Sequence, residues 1–189
     1  MLKQLFILLF RLIAESIPTW KILSEKQEKD NEDFYKSYLF PIIGIIALLS
    51  FVGALISVEP FGLQVALKVV IKQVMIYGGS FYLTSFVLSE YLFPRFDLEK
   101  NKGVSERFTG YSSSLIYAVA MIQSLFPDLF FLQILAFYTF YIIWTGAAQF
   151  LNIKEDFLIK FTTFAGVLIM VVPFLINYLI DLWMPGMKI

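Results

Sequence analysis

The sequence predicts an all-α polytopic membrane protein, a bundle of five transmembrane helices preceded by an N-terminal amphipathic interfacial helix. Three observations predict it. Hydrophobic residues make up 59% of the 189 and charged residues only 16%, against about 45–50% and about 25% in soluble domains. Four runs, 37–58, 108–127, 129–153 and 161–180, contain no charged residue, and at about 1.5 Å per residue each can cross a hydrocarbon core of about 30 Å. Lysine and arginine are also spread unevenly over the connections between those runs, as the positive-inside bias requires.

The first element follows from residues 1–23. An apolar stretch after Lys3 resembles a secretion signal, but Arg11 breaks it and no small-x-small cleavage site follows. Plotted at about 100° per residue, Leu2, Phe6, Leu9, Ile13 and Ile17 share one face, with Gln4, Arg11 and Glu15 on the other. Such a helix is expected to lie in the interface, with Pro18 and Trp20 marking its end near headgroup depth. Residues 24–36, opening with the charge-alternating SEKQEKDNED, read as a solvated cytoplasmic linker.

The five spans are expected at about 37–58, 67–93, 108–126, 129–151 and 159–183, within a transmembrane domain covering 37–186. The second is the weakest, because its charge-free part is only 73–89; its start falls near 63 or near 73. The Pro127-Asp128 connection is short enough to make the third and fourth spans an antiparallel hairpin. With five spans, twelve lysines and arginines fall on the N-terminal side, in the N-terminal segment and the loops 94–107 and 152–160. Only Lys68, Lys72 and Lys188 fall on the other. The N-terminus is therefore expected in the cytoplasm and the C-terminus outside.

Composition also bounds the chemistry. With no cysteine and no histidine, disulfides, iron–sulfur clusters and the usual zinc sites cannot be assembled. The acids lack the spacing of a calcium loop, and no catalytic, cofactor-binding or metal-binding signature is expected. Fifteen basic residues balance fifteen acidic ones, so there is no basic surface to attract nucleic acid. The partner the sequence points to is the lipid bilayer.

Several features within the spans carry expectations. Lys68 and Lys72, one turn apart, are expected to snorkel toward the outer interface, the alternative being an anion-attracting mouth without a paired acid nearby. Asp128 and Asp181 read as interfacial acids. Gly44, Ala47, Ser50 and Gly53, with Gly78 to Ser80, Gly146 to Ala148, Ala165 and Gly166, read as seams where helix backbones approach. The many aromatic residues are expected mostly toward lipid or the interface. Pro173 should kink the fifth span.

The most polar intramembrane stretch is Thr109-Gly110-Tyr111-Ser112-Ser113-Ser114, followed by Tyr117, Gln123 and Ser124. Serines can bond back to carbonyls of the preceding turn or across to neighbouring helices. The functional alternative is a polar-lined cavity near the cytoplasmic end, built from Tyr111, Ser112, Ser113, Ser114 and Tyr117 and closed by Glu90, Tyr82 or Thr84 of the second span.

In its order of features the chain resembles the Yip family of Ypt/Rab-GTPase-interacting integral membrane proteins, in particular its uncharacterised bacterial branch. The matching pieces are Pro18 with Trp20 before the first span, Pro41 opening it, Gly110-Tyr111-Ser112 entering the third span with Pro127 at its exit, and Met184-Pro185-Gly186 at the end. The resemblance covers nearly the whole length and implies a five-helix bundle of a bacterial inner membrane, associating with itself or with other membrane proteins. Its eukaryotic members resemble trafficking factors that bind prenylated GTPases through a long cytoplasmic N-terminal region. Only roughly thirty-six residues precede the first span here, so Rab-type GTPase binding is not carried over. The expected function is a non-enzymatic membrane scaffold or interaction protein; the alternative is a small transporter or channel with a polar pathway near the third span.

Overall fold

The computed structural model describes residues 2–25, 31–57 and 62–184, and the regular structure among them is entirely helical. The middle of the charged linker (26–30), the turn after the first span (58–61) and the C-terminal 185–189, with part of the Met184-Pro185-Gly186 motif and Lys188, lie outside the described residues.

Helices α1 (Leu2–Ala14) and α2 (Ser16–Glu25) are separated only by Glu15. Helical bonds still cross the junction, from the Glu15 N–H to Arg11 O and from the Thr19 N–H to Glu15 O. The axis changes there because Pro18 offers no N–H and its ring crowds the carbonyl four residues back, at Ala14.

A second rod starts as α3 (Asn31–Phe34), passes through a π-helical turn at Tyr35–Leu39 and continues as α4 (Phe40–Ser57). The turn has a local cause. Pro41 cannot donate to Ser37 and would collide with its carbonyl, so the ladder widens just before it and the Phe40 N–H reaches Tyr35 O instead. The same device recurs after α5 (Leu63–Val87), where a π turn at Leu88–Leu92 precedes Pro94 and the Phe93 N–H reaches Leu88 O. A 3-10 turn, Phe93–Phe96, then ends at Asp97 in the left-handed region (φ 57°), a conformation aspartate tolerates better than most residues.

Asn101 caps α6 (Lys102–Ser112), its side chain accepting the Val104 N–H at 3.0 Å. Helix α7 (Ser114–Leu125) follows with only Ser113 between them. The bonds Ser113 N–H to Thr109 O and Tyr117 N–H to Ser113 O keep the two as one bent rod. At the bend the Ser113 hydroxyl donates to Thr109 O at 2.8 Å, sharing that acceptor with the backbone. The turn after α7 leads into a 3-10 stretch, Phe130–Tyr138, then α8 (Thr139–Gln149) and finally α9 (Glu155–Trp183), which runs through Pro173.

Among the described residues, three helices are long and apolar enough to cross a membrane: Glu32–Ile56, Phe130–Gln149 and Glu155–Trp183. The expected second and third spans are not among them. At 25 residues α5 has the length, but Lys68, Lys72, Gln73 and Gly78-Gly79-Ser80 dilute its apolar character. The third rod begins earlier than expected, at Lys102, and its first half is polar. Other boundaries shift too: α5 begins at Leu63, and residues 31–36, expected as linker, are already helical, with Lys36 paired to Glu32 at 2.8 Å.

The long elements pack side by side, α4 against α5 and α7, α5 against α9, and α8 against α9. At one pole Ser50 meets Ser124 at 2.9 Å, the Ser124 carbonyl lies where a side chain on Gly53 would go, and Lys72 pairs with Asp181 at 2.6 Å. At the opposite pole Ser105 donates to Ser85 O at 2.6 Å and Trp20 Nε1 donates to Ile142 O at 3.0 Å. The end of α4, the first half of α5 and the ends of α7 and α9 thus share the lysine pole. The tryptophan pole gathers the other ends.

Just over half of the described aromatic residues are exposed, in line with the expectation, but a substantial group turns inward. Trp20, Tyr38, Phe81, Phe93, Phe108 and Phe161 are fully buried and form the core of the tryptophan pole. Trp20 packs on Phe108 and Phe150 at centroid distances of 5.7 and 5.3 Å, and Phe34 meets Tyr111 edge-on at 5.2 Å. Pairs like these contribute about 0.5–1.5 kcal/mol each beyond burial, which matters where lipid removes the hydrophobic drive.

The N-terminal helices differ from expectation in the same way. Trp20 does not mark a helix end at headgroup depth but sits inside α2, and α1 packs through Leu5, Leu9 and Leu12 rather than along the Leu2–Ile17 stripe, of which Leu2, Phe6 and Ile17 stay exposed. Projection on a single straight helix fails here because the axis changes at Glu15 and the adjoining edge of the apolar face, which shares Leu9 with the expected stripe, finds α7 and α6 as partners.

Candidate functional site

The hydroxyl-rich entrance of the third rod is inside the protein. Thr109, Tyr111, Ser112, Ser113, Ser114 and Tyr117 are all buried, because α6 and α7 are enclosed by α1, α4, α5 and α8. They do not form one site. Tyr111 belongs to the aromatic core, flanked by Trp20, Phe34 and Tyr38 at 6.0, 5.2 and 4.8 Å. Ser112 is fully buried and its Oγ meets no hydrogen-bond partner in the protein; Ser114 is likewise fully buried.

Ser113 and Tyr117 face elsewhere, toward α5 and α9. With Thr109, Ser80 and Thr84 they line a cavity of about 10 Å³, the space of roughly one water molecule. The hydroxyls of Ser80 and Thr109 have no partner in the protein. Pro173 also lines this cavity, as does Ile169, whose carbonyl lost its helical donor to the proline. One bound water would satisfy several of these groups, each costing about 1–3 kcal/mol when buried and unpaired.

Glu90 and Tyr82 lie apart from this cavity, whereas Thr84 is part of it. Tyr82 is exposed, and the Glu90 carboxylate pairs with Lys100 at 2.6 Å at the protein's edge. A buried acid that sequence reasoning missed is Glu106, with the Lys102 ammonium at 3.7 Å. One turn-mate, Arg107, has its pKa pulled below the ordinary value by burial, which the neighbouring Tyr111 opposes.

Sequence reasoning also missed a polar cleft at the lysine pole. Two abutting cavities of about 280 and 340 Å³ share Gln73, Ile76, Gln123 and Asn177 as walls. The first continues between α5, α7 and α9 to Tyr77 and Pro173, both of which also border the water-sized cavity. Tyr77 meets Tyr117 edge-on at 6.2 Å. The available signal was weak: single carboxamides in otherwise apolar runs on α5, α7, the 3-10 stretch and α9, which only the fold brings together.

Lys72 corrects another expectation. Its ammonium does not snorkel away alone but meets the Asp181 carboxylate, the side chains being 14% and 25% exposed. Asp181, expected as a simple interfacial acid, is the paired acid that sequence inspection did not find, because it lies 109 residues away.

Chemically, several of the hydroxyls are bound to carbonyls or to each other, while those of Ser80, Thr109 and Ser112 meet no partner in the protein. A serine nucleophile needs a base within hydrogen-bond reach, whereas Ser113 and Ser105 donate to backbone carbonyls and Ser16 to or from Thr145 at 2.6 Å. Among the described residues, no three His, Cys, Asp or Glu side chains gather where they would hold a metal.

Fold and site together define, among the described residues, an all-helical protein with three helices fit to cross a membrane and a polar cleft among its long helices. Comparison with known proteins finds no matching family model, no similar curated protein and no similar solved structure.

Proposed function

We propose that the chain is a five-span integral membrane protein of Yip-like architecture, resident in a bacterial inner membrane with its N-terminus in the cytoplasm. It acts without catalysis, as a scaffold contacting lipid, other membrane proteins or further copies of itself. The observation that carries this reading is the apolar belt. Leu48, Ile56, Phe130, Ile134, Phe137 and Phe174 project from the long elements, with Phe130 73% and Ile134 69% exposed. An exposed apolar surface this wide is at home in hydrocarbon rather than water.

Five crossings are supported by the alternation of helix ends between the two poles and by the length of the third rod. The orientation is supported by the loop charges, twelve against three. The native chain has no thiol, so single cysteines report topology cleanly. In intact cells an impermeant thiol reagent should label Asp128→Cys while leaving Lys102→Cys and Lys154→Cys unlabelled until the membrane is opened. Labelling of all three in intact cells, or of Lys102→Cys alone, would overturn the orientation. A solute pathway is the second reading, and the amide-walled cleft at the lysine pole favours it.

A further inference from the structure

We propose that the cleft at the lysine pole is a water-filled vestibule that binds a small uncharged, hydrogen-bonding solute of the polyol or simple amide class. The proposal rests on the membrane-embedded reading above and adds a site and a ligand chemistry to it. Its location differs from the polar pathway that the sequence alone suggested around Tyr111 and Ser112.

Four elements that the chain order separates build the walls. Gln73 comes from α5, Gln123 from α7, Gln133 from the 3-10 stretch and Asn177 from α9. Each carboxamide offers both donors and an acceptor. Gln133 is exposed at the rim, while Gln73, Gln123 and Asn177 are half-buried, and placing those three among apolar helices is costly unless water or a solute completes their bonds. Gln123 spends one donor on Leu129 O, at a long 3.3 Å. The two cavities, about 280 and 340 Å³, are each close to the lower size of small-molecule sites, about 300 Å³.

Charge decides the class of ligand. The fixed cation on the wall, Lys72, is neutralised by Asp181 at 2.6 Å, so the lining offers neither an anion nor a cation an unmatched partner. Carboxamides suit neutral groups that donate and accept at once, as hydroxyls and amides do. At its inner end the vestibule reaches Tyr77 and Pro173, which also border the water-sized space lined by Ser80 and Thr109. A solute enters from the lysine pole and stops there.

The test uses the full chain in proteoliposomes with a small methanethiosulfonate reagent supplied on both faces. Ser124→Cys is nearly isosteric and Asn177→Cys lies on a different helix; both line the cleft. Asp128→Cys, exposed in the turn, is the aqueous control, and Ile134→Cys, exposed on the apolar belt, is the lipid control. Both cleft cysteines should react within about tenfold of Asp128→Cys and far faster than Ile134→Cys. Glycerol or acetamide should slow them at least threefold without slowing Asp128→Cys, whereas choline and sulfate should not. Cleft cysteines as slow as Ile134→Cys overturn the vestibule. Protection by choline or sulfate, or none by the neutral probes, overturns the ligand class. Should Ile134→Cys itself react like Asp128→Cys, the membrane-embedded reading fails instead.

Discussion

Gly44 and Gly53 occupy the same apolar helix, yet their surroundings differ completely. A Cβ on Gly53 would run into the Ser124 carbonyl, while one on Gly44 meets nothing within 4 Å. Gly53→Ala should therefore destabilise the protein by about 2 kcal/mol or more, as overpacking does. Gly44→Ala should be neutral or stabilise by up to about 1 kcal/mol, the helix-propensity gain. Unfolding of the two variants in detergent micelles measures the contrast. Both glycines read identically in the sequence as small residues on a span, because seam and lipid face differ only in what lies across from them. Gly146, below the Trp20 ring with 2.7 Å to a hypothetical Cβ, was legible as a seam residue only in kind; its partner was not.

Among the elements, the N-terminal pair shows how far local pattern reaches. The helix over 1–23 was legible from its apolar periodicity, but the end expected at Pro18 and Trp20 is instead a change of axis at Glu15, after which α2 runs on to Glu25. What was not legible is that α2 docks into the bundle through a fully buried Trp20 whose Nε1 donates to Ile142 O, 122 residues away. Trp20→Phe should keep the ring contacts and lose the hydrogen bond, costing about 1 kcal/mol. Trp20→Ala should cost about 3–5 kcal/mol and release α2, so that trypsin cuts after the exposed Lys21 faster than in the native chain. Equal cleavage in all three proteins would mean that α1 and α2 are held by something other than this anchor. The π turns before Pro41 and Pro94 belong to this scale as well, since each follows from a proline that the sequence displays, although their bond shift was not foreseen.

For the whole molecule, the Lys72–Asp181 pair ties α5 to α9 at the lysine pole, as Trp20 and Ser105 tie the other pole. Both side chains are mostly out of solvent, so removing one partner leaves a poorly hydrated charge. Lys72→Met should destabilise by about 2–3 kcal/mol, less than a completely buried pair would lose. Combining Lys72→Asp with Asp181→Lys should recover most of the stability that either change alone removes, a coupling that a double-mutant cycle in micelles reads directly. Additive losses in that cycle would show that the two charges act independently. The candidate serine site fared unevenly at this scale. Its burial was legible, since four neighbouring hydroxyls cannot all face lipid cheaply. Its division between an aromatic core around Tyr111 and a water-sized space around Ser113 and Tyr117 was not.

The sequence by itself determined the helical class and the apolar runs that become Glu32–Ile56, Phe130–Gln149 and Glu155–Trp183, because apolar length and the lack of charge are properties of a segment that need no partner. It also determined the tight turn at Pro127-Asp128 and the lopsided loop charges. Tertiary structure alone decided which aromatics leave the surface, which glycines sit at crossings, and that Gln73, Gln123 and Asn177 share one cleft. Those facts depend on contacts between helices far apart in the chain, and a side chain's neighbours across a helix crossing are set by how the rods are placed against one another, which no local pattern encodes.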